Sequence, residues 1–225
     1  MTMNRLQLIL ASSSPRRRDL LREAGYRFEV RPPPIDDRPS RASGPAYRTG
    51  RSSDGAAAGA PPGSAPAKPG AHVESLAYLK AMAAVEAYGL ADGLVLGADT
   101  IVLLGDRIIG KPSDEADARR ILSELSGSEH RVLTGLALVD LARGRRMLAH
   151  DVTRVLMRRL APDQIAAYVA GGEALGKAGA YALQETGDRH IQEVTGSMTN
   201  VIGLPMELLE RLIKAIGYDP EDFCE

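Results

Sequence analysis

The chain of 225 residues has a single cysteine, Cys224, no tryptophan, two phenylalanines and a formal net charge of −1. One cysteine excludes an internal disulfide and any cysteine-rich metal site. A charge near zero gives the whole molecule no pull toward nucleic acid or an anionic membrane, so an anion site must be built locally. With aromatic residues at only 4%, stacking platforms for nucleic acid are scarce. No apolar run approaches the ~20 residues of a membrane-spanning helix, and the N-terminal apolar run is too short for a secretory signal. A cytoplasmic protein is therefore expected. Residues 38–72 contain no Val, Ile, Leu, Met or Phe and consist mostly of Ala, Gly, Pro and Ser. Such a stretch buries too little apolar surface to offset its ordering entropy, so it reads as a flexible surface insertion in a single domain spanning residues 1–225.

The rest of the chain alternates strand and helix signals. Residues 6–11 read as a strand and 15–24 as a helix closed by Gly25. Residues 73–87 carry apolar side chains at helical spacing, namely Leu76, Leu79, Met82 and Ala83. Residues 94–96 and 101–104 are β-rich, and Gly105-Asp106 suits a two-residue hairpin turn into 107–109. A helix over 115–125 is expected to be capped by Ser113. Strands over 131–141 and 145–156, turning at Arg143-Gly144, precede helices over 163–169 and 205–216. Alternating elements combined with hairpins predict an α/β fold with a mixed sheet flanked by helices.

Chemistry is suggested first by LILASSSPRRRDLL, residues 8–21. Ser14-Pro15 is a helix-start signal, because serine can cap a free N–H and proline at the first helical position gives up none that was needed. Capping does not explain Arg16 and Arg17, since cations in a first helical turn oppose the helix dipole. A bound phosphate would reverse that sign, and an exposed basic turn is the alternative. Asp99, in Gly97-Ala98-Asp99-Thr100, interrupts two apolar β-like runs. A carboxylate there caps a turn or serves a site, and the turn is the simpler reading. GDRIIGKP, residues 105–112, nearly matches the phosphate-binding loop GxxxxGK[ST] but puts Pro112 where the metal-binding hydroxyl belongs, so that reading is rejected. Lys111 remains able to reach a phosphate as a point charge. Lys80, inside an apolar helix, reads as a solvated residue. Residues 172–184 and 196–205 are glycine-punctuated loops, suited to ligands or simply to turns of positive φ.

Taken in order, SxSPRR, LAxxKA, GADTIV, GKP, LSGxxHxVxTG, GExxxKAGAYxxQ and NVxGLP resemble the Maf family of nucleoside triphosphate pyrophosphatases. The resemblance implies a two-lobed mixed sheet flanked by helices, similar to inosine triphosphate pyrophosphatase. It implies hydrolysis of a nucleoside triphosphate to the monophosphate and pyrophosphate with a divalent ion, Mg²⁺ or Mn²⁺. By the same resemblance Ser12, Arg16 and Arg17 bind phosphate, Asp99 accepts a proton, Lys80 and Lys111 complete the catalytic set, and Asp37 and Asp99 are the metal ligands. KAGAYxxQ resembles the dTTP/UTP branch rather than the 7-methyl-GTP branch, with Arg16, Thr100 and Gln184 associated with base choice. A homodimer, or a role in cell-division control through nucleotide binding with little turnover, would also be in keeping with the family. Three departures stand out: the family's acidic pair ends in Glu where this chain has Asp37, Gly176 replaces the Asp of DKAG, and the 38–72 insertion follows directly after Asp37. His130 matches a family position and reads as structural.

Overall fold

The computed structural model describes residues 6–34, 68–183 and 189–224. The first strand β1 (Leu8–Ala11) leads through three serines into α1 (Pro15–Glu23), followed by β2 (Phe28–Val30). Then come α2 (Pro69–Tyr88), the hairpin β3 (Leu94–Leu104) and β4 (Arg107–Ile109), and α3 (Glu115–Leu125). A long hairpin, β5 (Glu129–Asp140) and β6 (Arg145–Met157), precedes α4 (Pro162–Ala170). The order closes with β7 (Ile191–Thr195), α5 (Met198–Ile202) and α6 (Met206–Ile216). The described strands form one sheet ordered β2-β1-β3-β5-β6-β7, with β4 paired to β3. β1 is parallel to β2 and β3, whereas the pairs from β3 through β7 are antiparallel, so the sheet is mixed as expected.

Successive side chains of β3 point to opposite faces. On one face Leu96, Ala98 and Val102 meet α1, α6, α3 and α4 in two separate apolar cores. The first core holds Leu8, Leu10, Leu21, Leu138 and the buried stripe of α6; the second holds Leu122, Leu125, Val155, Met157 and Tyr168. The two lobes expected from the sequence are these two cores on one continuous sheet. Each fully buried leucine contributes about 1.5–3 kcal/mol at most.

The other face carries α2, which lies close. A Cβ on Gly97 would stand 2.1 Å from the Ala77 carbonyl oxygen, and one on Gly135 would stand 2.4 Å from the Val73 carbonyl carbon. Only small side chains fit between, so the buried face of α2 is Gly70, Val73, Ala77, Ala81 and Ala84. This corrects the expected apolar stripe: Leu79 is exposed. The helix also begins earlier than expected, with Pro69 in its first turn and the His72 N–H bonded to the Lys68 carbonyl at 3.1 Å. Residues 69–72 therefore belong to α2 rather than to a loop; residues 38–67 lie outside the described ones.

Other boundaries moved for local reasons. Asp114, not Ser113, caps α3, its carboxylate accepting the Asp117 N–H at 2.8 Å. Ser14 occupies the cap position of α1 without a side-chain bond; its N–H instead donates to Ser12 Oγ at 3.2 Å. β2, β7 and α5 were unforeseen, because three to five residues are too few to display a period.

Candidate active site

Gly97-Ala98-Asp99-Thr100 is no turn. β3 runs through it without a break, paired with β5 from Leu94↔Asp140 to Leu103↔Arg131. Its other edge is different. β1 covers it over residues 94–97 and β4 over 102–104, and among the described residues no strand pairs with it between them. The chain leaving β1 at Ser12 and the chain leaving β4 at Gly110-Lys111 approach this gap from opposite ends. A sheet edge open for four residues lets side chains from both faces of β3 serve one opening.

From the α2 face comes Asp99. At 100° per residue Lys80 borders the small-residue stripe of α2, and its Nζ donates to Asp99 Oδ1 at 2.7 Å. The two side chains are only 12% and 13% exposed. The solvated reading of Lys80 is thus replaced by a largely buried ion pair. Such pairs gain little stability over apolar residues of the same size, which makes this one a mark of chemistry rather than of folding.

From the opposite face comes Thr100, facing Arg17. The Arg17 side chain is buried, with Nε donating to the Gly203 carbonyl at 2.8 Å, Nη1 to Ser12 Oγ at 3.2 Å and Nη2 to Thr100 Oγ1 at 3.1 Å. The fixed fork of a guanidinium is what allows one side chain to hold three elements. Arg16, the preceding residue, is half-buried on α1. Thr100 Oγ1 lies 3.0 Å from Thr134 Oγ1, which donates to the Asn200 carbonyl at 3.0 Å. Asn200 Nδ2 in turn donates to the Val132 carbonyl and to Thr153 Oγ1. Thr134, Thr153 and Asn200 are fully buried, and this polar seam separates the two apolar cores. Sequence reasoning quoted Thr134 and Asn200 within motifs but gave them no role; nothing in their spacing signals a buried relay.

Lys111 follows β4 at the gap, as the strand reading of Ile108-Ile109 required. The Gly110 carbonyl before it accepts the Gly179 N–H at 3.2 Å, joining the GKP and KAGAY segments. The KAGAY segment is held further by Tyr181, whose hydroxyl lies 2.7 Å from His130 Nε2, and by Tyr168, whose hydroxyl accepts the Ala182 N–H at 3.2 Å. Burial pushes the His130 pKa down to about 4 and the Tyr181 pKa up, so both are neutral in the fold. His130 is structural, as expected. Gly172, Gly176 and Gly179 all adopt positive φ, so the turn reading of these glycines holds. Open space surrounds the position of a Cβ on Gly176. Asp37 and Gln184 lie outside the described residues.

A sequence profile described as "Maf-like protein" matches residues 7–216. The chain belongs to the Maf family. Among curated Maf relatives, a Moorella thermoacetica protein named "dTTP/UTP pyrophosphatase" is 43% identical over 213 residues, covering 95% of this chain and 96% of the relative. Proteins of the same name from Pelotomaculum thermopropionicum and Citrifermentans bemidjiense are each 40% identical, covering 95% and 96% of this chain and 98% and 100% of those relatives. The Maf assignment also fits the mixed sheet with helices on both faces. Among the described residues no helix is long and apolar enough to cross a membrane.

Proposed function

We propose that the chain hydrolyses dTTP and UTP to the nucleoside monophosphate and pyrophosphate at the gap in the β3 edge. The end-to-end match to relatives of that printed activity carries the reading, and the arrangement of Asp99, Lys80, Ser12 and Lys111 around one opening supports it.

Attack of water on a phosphorus atom needs a carboxylate to orient the water and take its proton, and cations to offset charge on the departing pyrophosphate. Lys80 occupies Asp99 Oδ1, which leaves Oδ2 to serve the water. Lys111 and Arg16 supply positive charge from the β4 end and from α1. Among the described residues no three His, Cys, Asp or Glu side chains converge on a metal-sized space. A magnesium ion that takes most of its oxygens from phosphate and water needs only one or two carboxylates, so Asp99 fits the requirement as one ligand and Asp37 is the proposed second. When bound, the ion would neutralise phosphate charge.

The test is pyrophosphate release by purified protein with Mg²⁺ or Mn²⁺ from dTTP, UTP, CTP, GTP and 7-methyl-GTP. Fastest release from dTTP and UTP is expected. Release from none of them overturns the enzyme reading, and a lead for 7-methyl-GTP overturns the pyrimidine reading.

A further inference from the structure

The hydrogen bonds around Thr100 have a fixed polarity. A hydroxyl has one proton and two acceptor lone pairs. The Asn200 carbonyl can only accept, so the Thr134 proton is committed to it at 3.0 Å. The 3.0 Å contact between Thr134 and Thr100 is then supplied by the Thr100 proton. Arg17 Nη2, which can only donate, fills one Thr100 lone pair. What remains on Thr100 is a single lone pair. Asn200 is itself anchored through its side chain, since Nδ2 donates to the Val132 carbonyl and to Thr153, whose own proton goes to the Ser197 carbonyl at 3.0 Å. Thr134 is fully buried, so reversing its bond to the Asn200 carbonyl would set two acceptors against each other away from water, at about 1–3 kcal/mol.

Ser12 is the converse. Its Oγ accepts from both Arg17 Nη1 and the Ser14 N–H, each at 3.2 Å, so only its proton remains. One guanidinium thus leaves a donor at the end of β1 and an acceptor on β3. A phosphate oxygen at neutral pH offers lone pairs and suits Ser12, but it cannot bond to the lone pair of Thr100. Gly203, at φ +123, keeps Thr100 uncovered on that side: a Cβ there would sit 3.5 Å from Thr100 Oγ1.

We propose that Thr134 and Asn200 are positioning residues that hold Thr100 as an acceptor, and that Thr100 thereby selects a pyrimidine carrying an N3–H, uracil or thymine, over cytosine, whose N3 is a lone pair. This rests on the pyrophosphatase reading and adds its means of choosing the base. A site built to pair with a ligand donor rejects the isostere lacking it, because the buried acceptor is otherwise left unpaired.

Thr134→Val removes the hydroxyl at nearly constant shape and frees the Thr100 proton to donate. The expected result is a fall of at least about tenfold in the UTP:CTP ratio of kcat/KM, with CTP turnover rising in absolute terms, while Thr134→Ser keeps the wild-type ratio. A purely structural role would depress both substrates together. An unchanged ratio in Thr134→Val, or equal changes for UTP and CTP as expected if the ligand donor were a sugar hydroxyl, overturns the proposal. Independently of any variant, the wild-type protein is offered 3-methyl-UTP, which has no N3–H. Slow turnover is expected, and turnover equal to that of UTP overturns the proposal even if Thr134→Val does not fold. Absence of UTP turnover in the wild type would instead overturn the pyrophosphatase reading itself.

Discussion

Asp99 and Thr100 are neighbours on β3, yet they meet different surroundings. Asp99 faces α2 and forms a charged pair with Lys80 that keeps a little exposure. Thr100 faces the seam between the two cores, where, apart from Arg17, every partner is neutral and buried. A strand that alternates its faces can therefore deliver two kinds of chemistry to one opening, provided its edge is unpaired there. Charge is placed where water and phosphate can enter. The hydrogen-bond polarity of Thr100 is set from behind by Thr134, which is fully buried. The α2 face depends on glycine for its geometry, because Gly97 and Gly135 let the helix approach closely enough for Lys80 to reach the carboxylate. The opposite face depends on one arginine.

The sharpest way to break this contrast is Asp99→Asn. The amide keeps the shape and can still accept from Lys80, but it is too weak a base to take a proton from water. Turnover of UTP is expected to fall by about 10³-fold, within the range that general bases contribute. Equilibrium binding of UTP measured without a divalent ion should stay within a few-fold of wild type, since no base-reading or phosphate-binding group of the protein is removed and the proposed metal ligand is then not called on. Unchanged turnover would take Asp99 out of the catalytic role and with it the chemical meaning of the α2 face.

On the other face the matching change is Arg17→Lys, which keeps the charge and loses the fork. One ammonium cannot serve the Gly203 carbonyl, Ser12 and Thr100 together, so at least one of those acceptors is left unmet. A stability loss of about 2–3 kcal/mol is expected, measured by urea unfolding. If stability is unchanged and only substrate affinity falls, Arg17 acts mainly on phosphate, and both faces then serve charge.

Much of this arrangement was legible in the sequence, and the parts that were not share a cause. The alternation of elements, the β3–β4 hairpin and the extent of α3 follow from local patterns that the tertiary fold did not override. The run through Gly97-Ala98-Asp99-Thr100 looked like a turn because glycine and aspartate are turn residues. They stand in a strand because β5 supplies a full ladder on one side and α2 needs the glycine on its face. The α2 stripe was misassigned for a related reason: hydrophobicity marked Leu76 and Leu79, whereas close packing selected Ala77, Ala81 and Ala84 for their size. Lys80 became meaningful only once that face was known. Ser12, Arg16, Arg17, Lys111 and Thr100 were placed by motif resemblance, and the gap that gathers them is a property of strand register that no single motif contains. Thr134 and Asn200 were invisible because a relay of neutral hydroxyls and amides has no compositional signature.

The neutral character of the Thr100 face can be tested further along β5 at His130, whose side chain lies on the same face and meets Tyr181. Desolvation holds its folded-state pKa at about 4, below the ordinary 6.5. The unfolded chain therefore takes up the proton first, and between those two values it binds more protons than the native state. Stability then rises with pH across this window, and is lost as pH falls from about 6.5 toward 4, by no more than about 3 kcal/mol from this group. His130→Gln places an amide near the position of Nε2, can retain the polar contact with the Tyr181 hydroxyl, and does not titrate. The variant should start from a lower stability at neutral pH and lose less of it on acidification, read from urea midpoints at pH 7, 6, 5 and about 4. Parallel pH profiles for the two proteins would mean that His130 accepts its proton in the folded state, and that this face tolerates charge as readily as the face that carries Asp99.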